Sequence, residues 1–243
     1  MSSSAFLIRG TASYRFAARS PRWCALQVPP TAPPSPDAAG DPSDLPSSTP
    51  TEGSGRLVAV RHGATAWSAT LRHTGRSDLP LDPEGREQAR AVGRRLAHHR
   101  FALVLVSPLT RARETSELAG FGTAEVCDDL REWDYGAYEG RTTADIRVER
   151  PGWSLWRDGA PDGESLAQVA ARADRVVTLA RAAPGDVLVF AHAHILRVVA
   201  ARWLSLPAGD GSRWVLGPAS VSVLGWERET PVIERWNDTG GEP

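Results

Sequence analysis

The sequence predicts an α/β fold built on a largely parallel sheet, and three observations predict it. From Gly55 onward, short apolar runs alternate with stretches of helical periodicity, the rhythm of β–α repeats. The runs at 57–60 and 187–191 contain no polar residue, as buried strands do not. Three of the runs stop abruptly at Arg61-His62-Gly63, Ser107-Pro108 and His192-Ala193. In sheets of this kind ligands bind outside the carboxyl ends of the strands.

Taken in order, residues 57–60 form the first predicted strand. Asp82-Pro83-Glu84 then reads as an N-cap, a proline at the first helical position and an acid in the first turn. A helix is expected from there to about His99, with Ala89, Val92 and Leu96 on its inner face. Residues 102–106 are the second strand, with a helix starting near Thr110 that carries Arg111, expected to add a bidentate clamp for an anion at the helix N-terminus. Glu164 to Ala182 reads as a long helix closed by Pro184-Gly185. Residues 187–191 are the next strand, followed by a helix bearing Ile195, Val198, Val199 and Trp203. Two further strands are expected at 221–226 and 232–236. No internal repeat is present.

Composition limits the function classes. The net charge is −1, which argues against a nucleic-acid partner or a membrane-surface role. All 28 basic side chains are arginine, and no apolar run approaches the 18 or so residues that cross a bilayer. Cys24 and Cys127 fit no metal-ligand spacing and read as thiols of a reducing compartment, so a cytoplasmic location is expected. Residues 1–55 stand apart. Up to Pro36 there are four arginines and no acid, and residues 29–54 are mostly Pro, Ser, Thr, Gly and Asp. Such a stretch buries too little apolar surface to order itself, so a disordered N-terminal segment is expected before a domain at 56–238. Its opening resembles an organellar transit peptide; an idle tail or a mis-assigned start is the preferred reading.

The strand ends bring chemistry together. Arginine offers a planar fork of donors suited to phosphate, and histidine can attack, accept or donate. Arg61 and His62, Arg111, and His192 are all expected at one edge of the sheet. Between them in sequence, residues 130–136 form a loop dense in acids and aromatics that includes Glu132, Asp134 and Tyr135. Cationic donors around a nucleophile, with a carboxyl nearby, suit phosphoryl transfer that calls for neither metal nor cofactor. Each residue also has a plainer reading. Arg61 would serve as a surface ion-pair partner and His62 or His192 as a hydrogen-bonded core histidine. His194 reads as a rim or helix-start residue, and His98-His99 as surface groups at a helix C-terminus.

The ordered set Arg61-His62-Gly63, Thr74-Gly75, Ser107-Pro108-Leu109 with Arg111, Glu132 with Tyr135-Gly136 and Glu139-Gly140, Gly163-Glu164-Ser165, and His192 resembles the histidine phosphatase superfamily, the phosphoglycerate mutase-like fold. The likeness covers about residues 56–226. Trp67-Ser68, the 72–76 stretch and the 132–136 stretch are similar to bacterial acid phosphatases and sugar bisphosphatases. The resemblance implies a three-layer α/β/α sandwich around a mostly parallel sheet. It implies that His62 is the phosphorylated nucleophile and that Arg61, Arg111 and His192 hold the phosphoryl oxygens. Glu132 would be the general acid and then the base, its carboxyl raised by desolvation beside Trp133 and Tyr135, with Ser68, Thr74, Gly75 and Tyr135 completing the pocket. Trp67, Trp133, Trp153 and Trp156 are candidates for the substrate mouth.

Two positions depart from the family pattern, Ala64 where glutamate is common and Ser68 where asparagine is frequent. Both bear on substrate preference rather than on the reaction. The expected activity is hydrolysis of small phosphomonoesters, such as phosphorylated sugars. A phosphoglycerate mutase is the alternative, and a non-catalytic module that binds phosphorylated ligands is a second. Only 60 positions separate Glu132 from His192 and lysine is absent, which favours the phosphatase. The expected partner is a small phosphorylated metabolite, with no nucleic acid and no membrane; a homodimer is compatible with the sequence.

Overall fold

The computed structural model describes residues 55–240. The expectations for the segment before Gly55 lie outside the described residues. Six strands form one sheet, β1 (Leu57–Arg61), β2 (Leu103–Val106), β3 (Glu125–Val126), β4 (Val187–Ala191), β5 (Val221–Glu227) and β6 (Thr230–Asp238). Their order is β3-β2-β4-β1-β5-β6. The first four in that order run parallel, and β5 and β6 form an antiparallel hairpin added beside β1.

Alternation along the strands builds two cores. Leu57 and Ala59 of β1 face one side with Val187, Val189 and Ala191 of β4. There they meet α6 (Leu166–Ala182) and α7 (Ala193–Trp203) through Val169, Val176, Ile195 and Val199. Val58, Val60, Leu188 and Phe190 face the opposite side. That side is covered by α2 (Pro83–Leu96) and α3 (Thr110–Leu118) through Val92, Leu96 and Ala112. Both faces of β1 and β4 are therefore covered, which is why residues 57–60 and 187–191 carry no polar side chain and only Arg61, at the carboxyl end of β1, does. The three-layer sandwich and the mostly parallel sheet agree with expectation.

The helices begin where their caps dictate. Asp82 Oδ1 accepts the Gly85 N–H at 2.7 Å, with Pro83 opening the helix. The helix stops at Leu96, before His99, because the apolar spacing ends there. Helix α6 starts at Leu166, two residues after Glu164, with Ser165 as its N-cap in a reciprocal capping box with Gln168. Among the strands and α-helices of the described residues, four escaped the sequence reading: the two-residue β3 and the short helices α1 (Ala66–Ala69), α4 (Thr143–Glu149) and α5 (Leu155–Asp158). Two of the four tryptophans assigned to the mouth are core residues instead. Trp133 and Trp153 are 0% and 2% exposed, and their indole N–H groups donate to the carbonyls of Glu164 and Gly159.

Candidate active site

The ends of β1, β2 and β4 are tied side by side by main-chain bonds. His62 N–H donates to Ala191 O at 3.0 Å, and Ser107 N–H donates to Phe190 O at 2.9 Å. This places His62, Ser107 and His192 in one row at the carboxyl edge. The imidazoles of His62 and His192 are 5.1 Å apart between ring centres. Gly63 follows because the chain passes against the start of α2. A Cβ at Gly63 would lie 2.4 Å from Gly85 O, and one at Gly85 would lie 2.1 Å from Ala64 O. Neither backbone can yield, so both positions exclude a side chain.

His62 has a defined tautomer. Its Nδ1 lies 2.7 Å from the Gly63 carbonyl, and a carbonyl only accepts, so Nδ1 carries the proton and Nε2 keeps its lone pair. Burial, then the charges of Arg111 and Arg61, hold its pKa well below the ordinary histidine value. His62 is thus neutral, with Nε2 unprotonated. His192 is fixed in the opposite sense. Arg111 Nε–H donates to His192 Nδ1 at 3.1 Å, so the neutral ring carries its proton on Nε2, 2.7 Å from Ser107 Oγ. Burial, Arg111 and His62 push its pKa well down.

The two arginines differ. Arg61 donates through Nη1 to Leu216 O, while its buried Nε has no hydrogen-bond partner among the described residues. Arg111 is fully buried, and it is committed to the 74–77 loop rather than open as a fork. Nη1 donates to Ser77 O at 2.8 Å, and Nη2 donates to Thr74 O at 2.9 Å and Gly75 O at 3.1 Å. With Nε on His192, one Nη1 hydrogen is left uncommitted among the described residues. The bidentate clamp expected of Arg111 is therefore replaced by a fixed charge that also orients His192.

Glu132 lies between the loop and α7. Its Oε1 accepts from Trp133 N and Ile195 N, both at 2.9 Å, and its Oε2 accepts from His194 N at 3.0 Å. The carboxylate thereby caps the first turn of α7. Burial acts to raise its pKa, but hydrogen bonding and charge from His194, with His192, outweigh it and hold the carboxyl well below the usual range. The raised carboxyl that desolvation by Trp133 and Tyr135 would give is not what the geometry produces. The neighbouring acids have partners of their own, although the buried Glu139 Oε2 has none among the described residues. Asp134 pairs with Arg76 at 2.7 Å and accepts from Gly136 N, and Glu139 Oε1 accepts from Gly75 N and Ser77 N.

The four expected pocket residues have other partners. Ser68 is in the α1 capping box with Thr65. Thr74 Oγ1 donates to Arg72 O, and the Gly75 N–H is held by Glu139. Tyr135 is buried, with its hydroxyl 2.8 Å from His194 Nδ1. His73 was missed altogether. It packs 4.8 Å from the Tyr135 ring and 6.2 Å from His194, and burial with the His194 charge lowers its pKa to about 4. The only signal was its place in the 72–76 stretch, since the partners that bury it come from distant segments.

Three neutral histidines, His62 and His192 buried and His73 partly buried, have a measurable consequence. His62, His73 and His192 all have folded-state pKa values below that of the unfolded chain, so below about pH 6.5 the unfolded chain binds more protons. Stability is fully present above that pH and declines as pH falls, for His73 until about 4. Melting temperature measured between pH 7 and 4.5 should fall steadily, and His73→Gln should flatten part of the slope. A flat profile for the wild type would contradict the neutral burial.

Comparison with known proteins follows the same lines. Residues 57–239 match the family model of the histidine phosphatase superfamily, branch 1. An acid phosphatase of Mycobacterium tuberculosis is 44% identical over 176 residues, 71% of this chain and 87% of its own. A sedoheptulose 1,7-bisphosphatase of Saccharomyces cerevisiae is 35% identical over 67% of this chain and 70% of its own. A probable phosphoglycerate mutase of Erwinia tasmaniensis is 31% identical over 74% and 89%. The solved structure of an open reading frame product of M. tuberculosis superposes with a TM-score of 0.72 and 41% identity, covering 77% of this chain and 99% of that one. With a row of strand-end histidines, a buried arginine locked to one of them and this family match over nearly all the described residues, the chain belongs to the histidine phosphatase superfamily.

Proposed function

We propose that the protein is a metal-independent phosphatase that hydrolyses small phosphomonoesters, phosphorylated sugars among them, through a phosphohistidine at His62. The observation that carries this reading is the neutral His62 ring, with its proton fixed on Nδ1 and its Nε2 lone pair available beside Arg61, Arg111 and His192. Nε2 attacks phosphorus as the bond to the leaving oxygen breaks. The unpartnered Arg61 Nε–H, the fixed Arg111 charge and the His192 Nε2–H stabilise the oxygens that gain charge. Glu132 protonates the leaving alkoxide, then takes a proton from the water that attacks phosphohistidine.

The mutase alternative has a relative of that name at 31% identity. The phosphatase is favoured by relatives named as phosphatases at 44% and 35%. The short segment between Glu132 and His192 also leaves a smaller cover to keep water from phosphohistidine. Incubation with p-nitrophenyl phosphate, a panel of sugar phosphates and 3-phosphoglycerate, each with and without chelator, tests the reading. Release of phosphate unaffected by chelator is expected. Isomerisation of phosphoglycerate without release would move the assignment to a mutase, and phosphate binding with no turnover would move it to a binding module.

The catalytic unit is residues 56–238, and the preceding segment plays no part in the chemistry. Deletion of residues 1 to 52 should leave melting temperature and phosphatase rate nearly unchanged. A large loss of either would show that the segment serves the domain.

A further inference from the structure

The proton economy of Glu132 is incomplete as it stands. The His194 side chain and His192, with three main-chain N–H donors, hold this carboxylate in its ionised form, which suits the base of the second half-reaction. The first half-reaction needs the same group loaded with a proton. Beside it stands His194, a residue the reaction scheme does not yet use. Its Nδ1 is 2.8 Å from Tyr135 Oη and 3.8 Å from Glu132 Oε2, and its side chain is 19% exposed where that of Glu132 is 5% exposed.

We propose that His194 is the proton reservoir of Glu132, a positioning residue that loads the carboxyl and later unloads it. The inference rests on the assignment of Glu132 as the acid. The ring is held in place to do this: Trp156 lies 5.5 Å away and Trp133 stands perpendicular at 6.3 Å. The titratable and charged groups around it are Glu132 and Tyr135, His192 at the head of its own helix, His73 across the cluster, and Arg197 one turn on. Arg197 is stacked on Trp156 at 4.7 Å. Burial and Glu132 raise the Tyr135 pKa, so its hydroxyl keeps its proton and serves either form of His194, donating to the neutral ring or accepting from the imidazolium. His73 stays neutral and adds no competing charge.

The steps balance. In the first half, the His194 imidazolium swings from Tyr135 and passes its proton to Glu132. Glu132 passes it to the leaving oxygen while the P–O bond breaks and the His62 Nε2–P bond forms. In the second half, water attacks phosphorus, the Nε2–P bond breaks, and the water proton goes to Glu132 and on to His194. One ester and one water give one alcohol and one phosphate, and every residue returns to its starting state.

The test compares kcat/KM for glycerol phosphate and p-nitrophenyl phosphate across pH in the wild type, His194→Gln, Glu132→Gln and the double variant. His194→Gln is expected to lose on the order of 10²-fold on glycerol phosphate and far less on p-nitrophenyl phosphate, with the acid-side limb of the glycerol phosphate profile displaced. The double variant should be no slower than Glu132→Gln alone, since both lie on one path. Tyr135→Phe, which removes only the hydroxyl, should show the same substrate pattern more weakly and stands in if His194→Gln does not fold. Equal slowing of both substrates, an unmoved pH profile, or multiplied losses in the double variant would overturn the reservoir while leaving Glu132 as the acid. Absence of leaving-group dependence in Glu132→Gln itself would instead remove the acid assignment on which it rests.

Discussion

Replacing His62 with alanine should abolish turnover, leaving less than about a thousandth of the wild-type rate, because the loss of a covalent catalyst exceeds the 10²–10⁴ of acid–base help. The expectation rests on position as well as on residue type. His62 Nδ1 is spent on Gly63 O, so Nε2 is the only ring atom with an available lone pair. His192 cannot substitute, because its Nδ1 is held by Arg111 and its Nε2 carries the proton. Wild-type enzyme quenched in acid during turnover should carry an acid-labile phosphate on His62, and the alanine variant none. Phosphate trapped on His192, or a variant that keeps more than the stated residue of activity, would show that the nucleophile lies elsewhere. Because His62 is only 5% exposed, near-UV circular dichroism of the variant is the companion measurement that separates lost chemistry from lost fold.

Glu132→Gln should lose roughly 10²–10⁴ in rate on alkyl phosphates and keep the first turnover of p-nitrophenyl phosphate, whose leaving group hardly needs a proton. A burst of p-nitrophenolate followed by a slow steady state is the expected trace: phosphorylation proceeds, while water activation, which needs the carboxylate, does not. The substitution also has a structural cost. A glutamine amide presents an NH₂ group to at least one of the N–H donors at His194 and Ile195, and leaving a buried donor unmet costs about 1–3 kcal/mol. A lowered melting temperature is therefore expected beside the kinetic effect. Asp134→Asn and Glu139→Gln are the controls, since those carboxylates are bound to Arg76 and to the 75–77 backbone. If either of them showed the leaving-group dependence and Glu132→Gln slowed both substrates alike, the acid would have to be reassigned.

Much of the frame was legible because burial on two faces writes itself into sequence. β1 and β4 are covered on both sides and so appear as unbroken apolar runs. Asp82-Pro83 and Pro184-Gly185 mark helix ends through local chemistry that needs no tertiary context. β3 has two exposed residues and pairs only through its backbone with β2, which leaves no pattern to read. The site followed the same division. Residue types at the strand ends gave the row of histidines and arginines, because topology alone brings those ends together. What each side chain holds was not legible, because it depends on partners far along the chain: Arg111 on the 74–77 carbonyls, Glu132 on the first amides of α7. The apolar neighbours of Glu132 suggested a raised carboxyl. The His194 side chain first, then His192 and the amide of His194, all at the start of a helix some sixty positions later, reverse the sign.

The place of β1 in the sheet bears on how the protein is made. Leu57 pairs with Val187 on one side and with Leu224 on the other, and β1 pairs with no strand that comes earlier than β4. During synthesis from the N-terminus this strand leaves the ribosome without a partner and waits until residues 187–191 and 221–227 have followed. Pairings this distant in sequence are slow to close, and an unpaired apolar strand is prone to aggregate in the meantime. Its segment LVAV is buried throughout, so the same residues that seat the nucleophile are a hazard to the nascent protein. The strand that seats the nucleophile is thus made before either of the strands that hold it.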